Sequence, residues 1–278
     1  MKKRSMMFKD RHLPGAAFEK FADNYGQVRP GYPREIFTDL AKECGVVSGT
    51  SILEIGAGTG IATRSLLELG ASVVAVEPGE NLLEIARESL VDFTTVEFVG
   101  TTFEQYQERR IFDMVVSATA FHWLGAGDKF TRVASLLKPG GHLVVMWNSF
   151  CQNNDPIEQE IAVLYGQHLP DVYPEKGDVN AGVLQKSLGK EQEIADSGIF
   201  YIHTMRRYLQ HCHYDTKHYV ALLNTFPKII EAPEKAKQSF LRDVEAVVEK
   251  HGQIIVPVLT TVCVCRRKQD FSSFIHQT

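Results

Sequence analysis

An apolar run that ends in three alternating glycines constrains this chain more than any other stretch: Ser51-Ile52-Leu53-Glu54-Ile55-Gly56-Ala57-Gly58-Thr59-Gly60. Residues 52–55 read as a strand. Ile61-Ala62-Thr63-Arg64-Ser65-Leu66-Leu67-Glu68-Leu69 follow with apolar residues at helical spacing. Strand, glycine turn and helix open a βαβ unit. Glycine admits φ > 0 and leaves no side chain between the turn and a ligand. The helix that starts there offers unpaired N–H groups and a partial positive charge.

Spacing narrows the ligand. A dinucleotide site asks for G-x-G-x-x-G or G-x-G-x-x-A, and the sixth position is Ile61 counted from Gly56 and Thr63 counted from Gly58. No G-x-x-x-x-G-K-[ST] occurs, which argues against a phosphate-cradling loop. The stretch reads instead as E-x-G-x-G-x-G from Glu54 to Gly60. A carboxylate just before the turn repels a pyrophosphate and suits a cationic ligand. The next strand-like run, residues 72–76, ends at Glu77. An acid at that tip, about 20 residues beyond the first glycine, is placed to accept from ribose hydroxyls.

Further along, strands are expected at 95–99, 113–117 and 142–147, with two late ones at 200–209 and 254–265. Helices are expected from Pro33, from about Asn81 as N-cap, over 128–137, near 157–165, from an Asp215 cap, and over 233–250. The alternation suits an α/β, doubly wound, mostly parallel sheet whose last strand is antiparallel. His211-Cys212-His213 is compatible with a metal half-site, but no third ligand stands at motif spacing, so no metal is expected. Cys263 and Cys265 read as small buried hydrophobes on one strand face.

The glycine motif with Glu77 resembles motif I of the class I S-adenosylmethionine-dependent methyltransferases. Phe18, Phe21, Ala22 and Tyr25 at helical spacing lead into Tyr25-Gly26-Gln27-Val28-Arg29-Pro30-Gly31-Tyr32-Pro33. That segment is similar to the N-terminal lid of small-molecule enzymes of the trans-aconitate and ubiquinone-biosynthesis type. Gly100-Thr101-Thr102-Phe103-Glu104 is a looser likeness of motif II. Ala118-Thr119-Ala120-Phe121-His122-Trp123-Leu124 and Leu137-Lys138-Pro139-Gly140-Gly141 resemble the family's segments after the fourth strand and before the fifth.

The resemblance implies a seven-stranded Rossmann-like sheet, with the seventh strand between the fifth and sixth, and helical lid and cap insertions. It implies S-adenosyl-L-methionine as cofactor, with S-adenosyl-L-homocysteine as product. Cofactor contacts are expected from Tyr25 and Arg29 in the lid, from Glu54, Gly56, Ala57, Gly58 and Gly60 in the turn, and from Glu77 and Pro78 at the second strand tip. Thr102 and Phe103 are expected beside the adenine, and Ser117 and Ala118 beside the fourth strand's end. His122 is the candidate base or substrate-orienting group, and Asn148 lies on the ligand edge. The expected layout is a lid over 1–45, a core over 46–150, a cap over 151–198, and strands and helices over 199–268 that complete the same domain.

Composition bounds the partners. At 278 residues with net charge −4, the chain lacks the basic footprint of a nucleic-acid binder. Ser117-Ala118-Thr119-Ala120 stands where amino methyltransferases of nucleic acids carry Asn-Pro-Pro-Tyr or Asp-Pro-Pro-Tyr. No apolar run spans a membrane and no signal peptide is read, so neither a membrane nor a nucleic acid is expected as partner. Five scattered cysteines suit reduced thiols in a cytoplasm. A small-molecule substrate, a carboxylate or a hydroxylated ring, and a monomer or homodimer are the expectations. A non-catalytic cofactor-binding protein and a nucleotide-cofactor oxidoreductase are the alternatives.

Overall fold

The computed structural model describes residues 28–107, 109–125, 127–153, 155–172 and 179–268. The expected lid helix and Tyr25 lie outside the described residues. Helix α1 (Arg34–Cys44) starts after Pro33, whose carbonyl accepts from Ile36 N (3.0 Å), and stops at Gly45, in the left-handed region at φ 68°. It buries Ile36, Phe37 and Leu40, the i, i+1, i+4 pattern of one helix face. Then come β1 (Ser51–Ile55), α2 (Ile61–Glu68), β2 (Ser72–Val76), α3 (Glu80–Ser89), β3 (Val96–Val99) and β4 (Phe112–Ala118). A single 3₁₀ turn (Phe121–Trp123) and α4 (Lys129–Leu136) lead to β5 (Leu137–Phe150). The rest comprises α5 (Pro156–His168), α6 (Val179–Asp196), β6 (Phe200–Tyr214), α7 (Thr216–Leu223), α8 (Pro227–Ile230), α9 (Glu234–His251) and β7 (Ile254–Arg267).

The seven strands form one sheet in the order β3-β2-β1-β4-β5-β7-β6. β1 to β5 pair in parallel, and β7 runs antiparallel between β5 and β6. This is the doubly wound Rossmann-like sheet expected from the alternation. The chain winds outward from β1 through β2 to β3, then returns to place β4 on the other side of β1. That reversal opens a crevice beyond the carboxyl ends of β1 and β4, where open α/β sheets take their ligands.

Both faces of the sheet's centre are covered, so β1, β2, β4, β5 and β7 are mostly apolar on both sides, while the edge strand β6 leaves many residues exposed. On one face Leu53, Ile55, Val115, Val145 and Trp147 pack under α4 and against Ile194 of α6. On the other, Ile52, Val73, Met114 and Val144 pack under Phe37 of α1 and Leu66 of α2. Cys263 and Cys265 belong to the first of these cores, as the strand alternation requires. Trp147, Phe112 and Phe200 are each at most 2% exposed. Burial of that kind stabilises by about 1.5–3 kcal/mol per side chain.

A third core joins α5, α7, α8 and α9 with the ends of β6 and β7 and with Val28. Within 151–198 the two described helices pack in different places. Only α5 joins this helical lobe; α6 buries Ile194 against the sheet, and the lobe is completed by the helices between β6 and β7. Apolar spacing alone does not tell a lobe helix from a crossover helix.

Three boundaries also moved. β5 begins at Leu137 because Phe112 pairs with Leu137 and Met114 with His142, so the intervening Lys-Pro-Gly-Gly is carried as an irregularity in the strand. β6 continues to Tyr214 because β7 is long enough to pair with it throughout, which makes His211 and His213 exposed positions on a strand. Asn81 lies inside α3, whose N-cap is Gly79; the Gly79 N–H is taken by Glu77 Oε1 at 2.9 Å.

Candidate cofactor and substrate site

The turn after β1 is held in a shape that glycine permits. Gly56, Gly58 and Gly60 have φ of 72°, 57° and 82°. Gly56 N and Ala57 N donate to Val76 O (2.8 and 3.2 Å), which ties the turn to the tip of β2. The three glycines differ in what surrounds them. A β-carbon on Gly56 would lie 2.3 Å from Ala120 Cβ, and one on Gly60 would lie 2.8 Å from Leu90 Cδ1. A β-carbon on Gly58 would meet nothing within 4 Å. Gly56 and Gly60 therefore serve close packing, while Gly58 turns its bare α-carbon to open space. Ala57 is core, 7% exposed, and joins the turn through its backbone.

Two acids flank the turn. Glu77 Oε2 accepts from Gly58 N and its Oε1 from Gly79 N, each at 2.9 Å, so its carboxylate braces the glycine turn against the start of α3. Glu54 is 1% exposed, and its Oε2 accepts from Thr63 Oγ1 in the first turn of α2 at 2.6 Å. Its Oε1 is buried with no partner among the described residues. Burial pushes the Glu54 carboxyl up to about 7; the nearby Glu77 charge adds to the rise and the Thr63 bond opposes it. The Thr59 hydroxyl, between Gly58 and Gly60, is likewise buried without a partner. Buried polar atoms are ordinarily bonded, so two orphans around one turn mark a place for polar ligand atoms. Thr59 was not singled out from the sequence, where a hydroxyl between two glycines is an unspecific sign.

The end of β4 closes the crevice. Thr119 has φ 59°, a strained left-handed conformation for a β-branched residue. Its N–H donates to Met146 O (2.7 Å), and its Oγ1 lies 2.9 Å from Tyr32 Oη and 3.4 Å from Asn148 N. Asn148 Nδ2 donates to Pro30 O at 3.0 Å, and Gln210 Nε2 to Gly31 O at 2.9 Å. The strap Pro30-Gly31-Tyr32 is thus pinned across the carboxyl ends of β4 and β5. A β-carbon on Gly31 would come within 3.8 Å of Ile61, the first residue of α2. The strain at Thr119 has no signature in sequence.

The other expected residues have the following surroundings. Arg29 is held by the helical lobe: its Nη2 donates to Thr225 O (2.8 Å), and its guanidinium lies 4.9 Å from the Phe226 ring centroid and 5.9 Å from that of Phe150. Ser117 is fully buried and donates to Ile55 O at 3.0 Å, a tie between β4 and β1. Phe103 is 3% exposed and packs in the core, with the Arg132 guanidinium 5.3 Å from its ring centroid. Thr102 Oγ1 accepts from Gln105 N (3.3 Å) in the turn that follows β3. Pro78 is exposed beside Glu77, and Ala118 is half-buried.

His122 is exposed at the rim, with its ring 4.7 Å from that of Trp123. Desolvation pulls its pKa below the usual imidazole value, and Lys190 and Lys129 pull the same way against Glu193. It is neutral at pH 7 and able to accept a proton. Among the described residues no group of three or more His, Cys, Asp or Glu could hold a metal, and no helix is long and apolar enough to cross a membrane.

Residues 52–141 match the family model of the methyltransferase domain. That segment is similar to a methyltransferase domain. An uncharacterised methyltransferase of Mycobacterium tuberculosis is 36% identical over 125 residues, which are 45% of this chain and 49% of that protein. The chain thus spans about half the length of that curated relative. Among solved structures, an Anaeromyxobacter dehalogenans protein described as a type II methyltransferase superposes with TM-score 0.60 at 17% identity, over 86% of this chain and 97% of that one. An S-adenosylmethionine-dependent methyltransferase of Thiobacillus denitrificans, solved with S-adenosyl-L-homocysteine, gives 0.51 at 14% identity over 90% and 98%. At these identities the two superpositions show a shared fold alone. The family match itself covers β1 through the Lys-Pro-Gly-Gly segment, which contains the glycine turn, Glu77 and His122.

Proposed function

We propose that the chain is an S-adenosylmethionine-dependent methyltransferase that acts on a small-molecule nucleophile. The observation that carries this reading is the glycine turn: Gly58 faces open space between two acids, with the Glu54 and Thr59 oxygens left without partners. Those features fit a cationic nucleoside and disfavour a diphosphate. When bound, the cofactor supplies a methyl group already activated on a sulfonium. The turn and Glu54 would hold its amino-acid end, and Glu77 its ribose.

Little covalent help is then needed from the protein. Its contribution is to position the acceptor and exclude water, effects worth about 7–11 kcal/mol of barrier in well-oriented reactions. Neutral His122, near the end of β4, is the candidate group to take the acceptor's proton. The Pro30-Gly31-Tyr32 strap crosses the crevice at Thr119 and Asn148. Net charge −4 and the Ser117-Ala118-Thr119-Ala120 segment support a small molecule over a nucleic acid.

The test is turnover of a methyl-labelled donor against a pooled metabolite extract, with products read by mass. A product heavier by one methyl group, absent with Glu77→Ala, is the expected result. Donor binding without transfer to any acceptor would reduce the chain to a cofactor-binding protein.

A further inference from the structure

Strand β6 closes one side of the sheet, and among the described residues no strand pairs with its outer side. It is 15 residues long, and a register shift between Ile202 and Thr204 interrupts it near its start. From Thr204 to Tyr214 its pairing with β7 is regular, so the outer side there presents an unbroken row of backbone donors and acceptors. That regular section is centred on Leu209.

Side chains alternate across the strand. Arg206 and Tyr208 turn to α1, where both meet Asp39 Oδ2 at 2.8 Å. Arg207 turns to the other face and meets Glu191 of α6 at 3.0 Å. Charges on an edge strand ordinarily discourage pairing, but both arginines here already have carboxylate partners. Leu209 shares the face of Arg207 and is 58% exposed. Leu184 and Leu188, seven and three residues before Glu191, lie on the same stripe of α6 and are 46% and 58% exposed. α6 runs back along β6: Ile194 shares a core with Phe200, Glu191 meets Arg207, and the leucines continue toward the Leu209 end of the strand. Three large apolar side chains therefore gather beside an open edge, the pattern of an interaction surface.

The occupant that fits this edge is a second copy of it. A two-fold axis through Leu209 sets that residue against its own copy, Tyr208 against Gln210, Arg207 against His211, and Arg206 against Cys212. Thr204 then faces Tyr214, so the regular section is used from end to end. No arginine meets an arginine, whereas an axis at Arg206 or Arg207 would set like charges directly opposite. A standard interface buries about 800 Å² per partner. Eleven residues at about 3.3 Å each make a contact about 36 Å long, which must then be about 22 Å wide. A bare strand edge is narrower than that, and the α6 stripes of the two copies supply the remaining width. We propose that two copies of this chain pair antiparallel along β6 about an axis at Leu209, with their Leu184 and Leu188 meeting beside the joined strands. The contact is isologous and joins two seven-stranded sheets into one. It does not depend on what the crevice binds.

Sedimentation of the full chain tests the pairing, with an expected mass of twice the 31.2 kDa of one copy. Leu209→Lys sets two ammonium groups across the axis and should weaken the dimer at least about tenfold, with the melting temperature of the exposed position's variant close to wild type. Leu188→Lys should weaken it as well. Leu209→Cys under mild oxidation should give a covalent dimer well above the wild-type background, because the axis brings this position against itself within disulfide reach. Met205→Cys faces His213 of the second copy and should stay at background. The crosslinking result stands whether or not Leu209→Lys folds. A chain that stays monomeric at its highest soluble concentration overturns the proposal. So does a dimer that survives Leu209→Lys, or one that crosslinks through Met205→Cys as well as through Leu209→Cys.

Discussion

Replacing Glu54 by Gln should change how stability depends on pH, and by an amount that its surroundings set. The residue is 1% exposed, has one bond from Thr63 and one unpartnered oxygen, and its pKa is pushed from 4.5 up to about 7, chiefly by burial. Below pH 4.5 the folded and unfolded chains both carry the proton; between 4.5 and about 7 only the folded chain does; above that neither does. The folded state binds the extra proton within that window, so its stability falls as pH rises through it. At about 1.4 kcal/mol per pH unit, the window from 4.5 to about 7 is worth about 3 kcal/mol. Gln stays neutral throughout. Urea denaturation of the ligand-free proteins should show the stability of Glu54→Gln, relative to wild type, rising by about 3 kcal/mol between about pH 5 and pH 8. Parallel pH curves would refute the buried, under-bonded carboxylate. If the proposed cofactor seat is right, the same variant gains stability at high pH and loses affinity for the cationic ligand, a trade expected where strain is kept for binding.

Other outcomes follow from the same geometry. Gly56→Ala should lower stability by about 2–4 kcal/mol, from left-handed strain and overpacking together. Adding Ala120→Gly should return the overpacking share, so a double-mutant cycle by urea melts should show coupling of about 1–3 kcal/mol; additive effects would deny the contact. Tyr32→Phe should cost about 1 kcal/mol by the same measurement, since it removes the bond between strap and Thr119. Glu77→Ala should weaken S-adenosyl-L-homocysteine at least about tenfold by calorimetry, and an unchanged affinity would remove Glu77 from the site.

The parallel sheet was readable because its signals are local and redundant. Apolar runs of strand length alternate with helical spacing, and the glycines punctuate the first crossover. The turn itself was readable because Gly56, Gly58 and Gly60 have few other uses in that pattern. What the sequence could not show depends on non-local partners. The surroundings of Arg29 and Phe103 are set by distant residues: Thr225, Phe226 and Phe150 engage the first, and the core encloses the second. Ser117 lies near the end of β4, and its hydroxyl donates to Ile55 O, a partner 62 residues away in the chain. Thr119 owes its strain to bonds from the strap and from β5. Helix α6 is not among the helices that the apolar spacing indicates, although its Ile194 packs against the sheet.

Calorimetric titration of the purified chain with S-adenosyl-L-homocysteine and, separately, with NAD addresses the central claim most directly. A glycine turn between two acids should bind the nucleoside at one site per chain, show no saturable heat with NAD, and lose the nucleoside when Gly58→Val fills the open space above the turn. Saturable NAD binding, or nucleoside affinity unaffected by Gly58→Val, would contradict it.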